Sequence, residues 1–148
     1  TNKYPGSLAT GAQFVDAVLA TLQGDLGVNL QTQRQALIDH YNSAGGGNAG
    51  RGVVMFRLAQ DDAAGNPINN RPFIDAEYNR AFVVTQYFGY LRRDGDLGGL
   101  NFWFGQVNTA TLRDTSKQNA MVCSFLSSAE YEFRFGPNAP RTNKECPQ

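Results

Sequence analysis

The stretch AFVVTQYFGYLRRDGDLGGLNFWFGQVN (81–108) decides the fold. Phe82, Val83, Val84, Tyr87, Phe88, Tyr90 and Leu91 are too many apolar side chains for one narrow helical stripe. They run into a turn, RDGDLGG, whose glycines and aspartates stop a helix. The pattern predicts a long helix from Ala76 to Arg92, opened by Asp75 as N-cap and covered on several sides. Asp96 then caps a second helix over 97–108, with Leu100, Trp103, Phe104 and Val107 turned inward. Two such helices leave apolar surface that further helices must cover.

The flanking sequence supplies them. Phe14, Val15, Val18, Leu19 and Leu22 recur at helical spacing over Gly11–Gln23, with Gly24 as the stop. Leu30, Leu37, Ile38 and Tyr41 mark a second helix over 30–43. The glycine cluster AGGGNAGRG (44–52) should break the chain there, since each glycine costs a helix about 1 kcal/mol. A third helix over 52–61 carries Val53, Val54, Phe56 and Leu58. Residues 61–74, with Pro67 and Pro72, read as a linker. Downstream, Met121, Val122, Phe125 and Leu126 mark a helix over 114–127. Ser127 and Glu130 have capping-box spacing and predict a short last helix, 128–135, although the alternation Tyr131, Phe133, Phe135 also suits a strand. The expected fold is all-α. Six or seven short helices form one domain over 1–148, with units at 11–62 and 76–136, a linker at 63–75 and a tail at 137–148.

The two units look related. FVDAVLATLQGDLG (14–27) parallels FVVTQYFGYLRRDGDLGG (82–99), which has four extra residues, and each leads to an apolar third helix, VVMFRLA (53–59) or AMVCSFL (120–126). A three-helix unit that cannot bury its own apolar face gains from a second copy.

The 148 residues carry 13 Lys plus Arg against 13 Asp plus Glu, a formal charge of zero. Nucleic-acid binding draws on a basic surplus that is missing here, so no such partner is expected. No window approaches the ~18–20 apolar residues of a membrane span, so no insertion is expected. The chain opens TNKYPGSLATG without Met and reads as a processed or excised piece. Cys123 lies in an apolar run and Cys146 in a polar tail, where a free thiol would be a liability in an oxidising compartment. Their spacing leaves both a 123–146 bridge and two free thiols open.

The stretch at 81–108 together with AMVCSFLSSAEYEFRFG (120–136) resembles the bacterial family known as domain of unknown function 4214. Arg93, Asp94, Asp96, Gly99, Phe102 and Trp103 match its first motif in order, and Phe125, Ser128, Glu130 and Tyr131 match its second. The first half lacks the Arg, the Phe-Trp pair and the Ser-x-Glu-Tyr ending, so it reads as a degenerate copy. The ending also echoes the helical linker domains of phycobilisomes. The resemblance implies a helical fold and an extracellular or cell-surface address in a larger bacterial protein, beside adhesive or calcium-binding repeats. It supplies no catalytic residue and no cofactor.

Several groupings invite chemistry. Asp94, Asp96 and the glycine at the sixth position, Gly99, imitate the start of a calcium loop. The twelfth position is Gly105, where such a loop needs a bidentate Glu, so the choice lies between weakly held calcium and a plain turn with Asp96 as a cap. Tyr87, Tyr90 and Trp103 are candidates for stacking on sugar rings. Asp61-Asp62 and Asp75-Glu77 are the acids from which a glycoside hydrolase pair would be drawn. His40 has no serine or cysteine nearby in sequence, and the glycine cluster lacks the Lys-Ser/Thr of a phosphate loop. Arg93 is expected to tie the turn to a neighbouring carboxylate. The expected function is a non-catalytic accessory or interaction module of a secreted or surface-associated bacterial protein, with a protein or cell-surface glycan as partner. A calcium-assisted carbohydrate-binding module and a hydrolase with an acid pair are the alternatives.

Overall fold

A computed structural model describes residues 10–60, 65–109, 113–142 and 146. Among them are seven α-helices and no β-strand, so the fold is all-α. The chain divides into two compact units, residues 1–74 and 75–148.

The first unit contains α1 (Gly11–Leu26), α2 (Arg34–Ser43) and α3 (Gly47–Ala59), with one 3-10 turn over Gln31–Gln33. Thr10 and Gln13 form a capping box at the start of α1, each side chain accepting the other residue's amide. Gly24 does not stop this helix. It runs on until Leu26 is buried and Gly27 turns to φ 68°, a left-handed conformation that glycine adopts without steric cost. Arg34 of α2 reaches back to Asp16 of α1 through a paired contact of 2.6 and 2.8 Å.

The glycine cluster behaves differently from the expectation. Gly45, Gly46 and Gly47 take positive φ and make the turn, but α3 begins at Gly47, so Gly50 and Gly52 lie within a helix. Packing outweighs propensity at Gly50. A Cβ there would come within 2.7 Å of the Tyr41 carbonyl oxygen and 2.8 Å of its ring, and one at Gly11 within 2.7 Å of the same ring. Two glycines thus make room for a buried Tyr41 beside Phe14.

The expected linker is largely used up in capping. The fully buried Asn70 places its amide nitrogen 2.7 Å from the Leu58 carbonyl and 2.6 Å from that of Gln60, closing the free end of α3. Asn66 does the same for the Arg57 carbonyl at 2.9 Å. Helix α4 (Arg71–Gln86) then starts four residues before Asp75, the expected cap. Pro72 suits that first turn, where its missing amide has no helical acceptor to lose. Asp75 instead lies inside α4, buried, with the Arg113 guanidinium 2.5 Å away.

In the second unit α4 passes into a π-helical turn, Tyr87–Leu91, and then come α5 (Leu97–Val107), α6 (Thr115–Leu126) and α7 (Ala129–Phe135). Val83, Tyr87, Leu91, Val107, Met121 and Phe125 are among the buried residues of its core. The α4 region is not covered on several sides, because Val84 and Phe88 are exposed. On α5 only Val107 is fully inward, with Leu100, Trp103 and Phe104 half-buried. Asp96 caps α5 as its spacing predicts, accepting the Gly99 amide at 2.8 Å. The last cap is Ser128 and not Ser127. Ser127 still has helical dihedrals and donates its hydroxyl back to the Cys123 carbonyl, whereas Ser128 is extended and accepts the Tyr131 amide.

Candidate functional site

Four of the family-like residues, Arg93, Asp96, Gly99 and Glu130, converge on one feature, a polar clasp around Tyr87. The chain leaves the π turn through Arg92, at φ 48°, which aims Arg93 back across the helix end. Arg93 donates two parallel bonds to Glu130, at 2.6 and 3.0 Å, and a third to the Asp94 carbonyl at 2.8 Å. Its guanidinium lies 5.1 Å over the Tyr87 ring and 3.6 Å from the Asp96 carboxylate. Arg134 adds a further contact to Glu130 at 3.3 Å. Glu130 is therefore occupied by arginines and is no partner of a capping box.

Electrostatics follow from these contacts. The Arg93 bond holds the Glu130 carboxyl below its ordinary value and raises Arg93 in turn. The Gly99 amide, helped by Arg93, does the same for Asp96. Burial pushes the Tyr87 hydroxyl up, reinforced by the charge of Asp96. Gly99 is required on steric grounds, since a Cβ there would collide with the Tyr87 hydroxyl. The Asp-Leu-Gly-Gly sequence thus has a packing reason.

The three rings considered for sugar stacking are separated in burial. Tyr87 sits in the core, edge-on to Phe125 at 4.9 Å. Trp103 is half-buried, with Phe125 at 5.7 Å and Phe102 at 5.1 Å, and Tyr90 tilts against Tyr131 at 6.4 Å. Asp94 is exposed, while the Asp96 carboxylate is engaged by the Gly99 amide and by Arg93. Among the described residues no group of three His, Cys, Asp or Glu converges on one point. Asp75 faces Arg113 while Glu77 is exposed, and Asp61 and Asp62 lie outside the described residues. His40 is half-exposed in the last turn of α2. Cys123 and Cys146 form a disulfide, which joins α6 to the tail, where Arg141 also reaches Glu132 at 2.8 Å.

A groove of about 250 Å³ opens between α4 and α5. From α4 it is lined by Arg80, Val83 and Val84, and from α5 by Leu97, Leu100, Asn101 and Phe104. The Arg80 guanidinium lies 5.1 Å over the Phe104 ring. Leu97, at 76% exposed, forms its rim. Sequence reading placed Leu100 and Phe104 in the core and gave Arg80, Leu97 and Asn101 no role. The available signal was the surplus of apolar residues on α4, more than one buried face could hold.

A disulfide-stapled, all-helical unit organised around an arginine–carboxylate clasp defines the class. Residues 64–135 match the family described as Domain of unknown function (DUF4214), and this part of the chain is a domain of that family. No curated protein and no solved structure matches the chain.

Proposed function

We propose that the chain is a non-catalytic interaction module of a secreted or surface-associated bacterial protein, and that its second unit docks a protein partner. The observation that carries this is the apolar surface left in solvent there: Phe88, Leu97, Phe102 and Phe133 are each more than half exposed. Large apolar side chains left in solvent are characteristic of surfaces that meet other proteins. The disulfide supports an oxidising, extracytoplasmic compartment, because cytosolic thiols are kept reduced. The polar groups of the clasp are used up in holding the helices, which favours a scaffold over a reaction centre.

Co-sedimentation with cell envelopes of the encoding bacterium tests the reading. The wild-type protein should be retained, and Phe102→Asp with Phe133→Asp should cut retention about tenfold without changing the helical spectrum. Protease treatment of the envelopes should abolish binding. Equal retention of both proteins, or retention that survives protease, would count against a protein partner docked on this surface.

A further inference from the structure

Beyond that reading, we infer that the outward face of α5 pairs with the same face of a second copy of this chain, the two helices running antiparallel. Helix α5 carries no charged side chain in its 11 residues. Its exposed positions, Leu97, Gly98, Asn101, Phe102, Gly105 and Gln106, recur every four residues and form one stripe. At about 100° per residue, Gly98 and Gly105 share the middle line of that stripe, with Asn101 on one side and Phe102 on the other. Leu97 is 76% exposed and Phe102 57%. Packing within the unit accounts for neither glycine. A Cβ at Gly105 would meet nothing within 4 Å, and one at Gly98 only its own cap, Asp96, at 3.4 Å. Both leave the helix backbone open to close approach from outside.

The order of the stripe selects the occupant. A two-fold axis passing between Asn101 and Phe102, perpendicular to the helix, lays Gly98 of each copy against Gly105 of the other. It also sets Phe102 against Phe102 and Asn101 against Asn101. Two rings pair well when offset, and an amide offers both donor and acceptor, so each is its own complement. A parallel pair would instead oppose Phe102 with Asn101 and align the two helix dipoles unfavourably. Charge points the same way. A face without charge has nothing with which to choose an acidic or basic partner, and nothing that repels its own copy. The helix is only about 16 Å long at ~1.5 Å per residue, so the buried area falls below the ~1,200 Å² of a standard interface. The pairing is therefore weak and reversible. Phe102 also belongs to the docking surface above, so a docked partner displaces the second copy.

The test uses the intact disulfide-bonded chain, purified and without envelopes, in sedimentation velocity from about 20 µM to about 1 mM. A reversible dimer should form with a Kd of about 0.1–1 mM. Gly105→Gln puts a better helix former where a Cβ has open space, so the thermal midpoint should hold or rise. The same change should weaken pairing at least tenfold, because it blocks the close approach at both ends of the two-fold contact. Asn101→Asp and Asn101→Lys should each weaken pairing through like charges facing across the axis. Mixed together, the two variants should pair at least tenfold more tightly than either does alone, and salt should erode that gain. The inference is overturned if the chain stays monomeric at about 1 mM, if Gly105→Gln pairs as well as wild type, or if the Asp/Lys mixture gains nothing. None of these readouts involves envelope retention, so failure here is distinguishable from failure of the docking surface.

Discussion

Arg93 reaches Glu130, the Asp94 carbonyl and the face of Tyr87 from one guanidinium. Such a fork cannot be reproduced by a lysine, whose ammonium is a point charge. Both ends of the Arg93–Glu130 pair are about a third exposed, so solvent screens it, and Arg93→Gln is expected to cost about 1 kcal/mol in urea unfolding. The pH dependence has a defined sign. Glu130 is held below its ordinary value of 4.5 in the folded chain, so its contribution is complete above that pH and is lost as acid protonates the folded carboxylate. Glu130→Gln should therefore show a shallower loss of stability below about pH 4.5 than wild type. Parallel acid limbs would place the pair outside the stability balance. The pairing itself was legible only in part. Arg93 beside an aspartate turn invites a carboxylate partner, but 37 residues separate it from Glu130, and helical spacing carries no information over that distance.

At the scale of elements, two glycines of one helix make opposite demands. Gly50 and Gly52 both lie in α3, where glycine is about 1 kcal/mol worse than alanine. Nothing lies within 4 Å of a Cβ at Gly52, so Gly52→Ala should raise stability by about 0.5–1 kcal/mol. At Gly50 the new methyl would press on the Tyr41 carbonyl and ring, so Gly50→Ala should lower stability by about 1–3 kcal/mol. Denaturant midpoints of the two variants should move in opposite directions, and a common direction would mean that propensity alone governs α3. The same competition explains why the cluster at 44–52 is not simply a break. Propensity treats its glycines alike, whereas close approach of α2 to α3 distinguishes them.

For the whole molecule, the disulfide closes a segment with a sequence separation of 23 residues. Constraining a loop of that size in the unfolded chain contributes about 3 kcal/mol in the loop-entropy account. Reduction, or Cys123→Ser with Cys146→Ser, should lower the thermal midpoint by several degrees. Hydrogen exchange should locate the lost protection in α6, α7 and the tail while the amides of α1–α3 keep theirs. Uniform loss over both units would show that they unfold together. A non-reducing peptide map checks the bond directly.

Composition and periodicity by themselves determined an all-α chain, the positions of most helices and the cap at Asp96, while the motif residues from Arg93 to Tyr131 carried the family resemblance that the match over residues 64–135 bears out. These depend on neighbours within a turn or two, and such neighbours are adjacent in sequence. Tertiary structure alone decided the rest: Asp75 inside a helix opposite Arg113, Asn70 closing α3, Ser128 in place of Ser127, the Cys123–Cys146 bond, and the groove between α4 and α5. Each is set by which surfaces meet or fail to meet. The apolar surplus of α4 showed that more than one face needed a partner, but only packing showed that the face with Val84 and Phe88 is left to solvent.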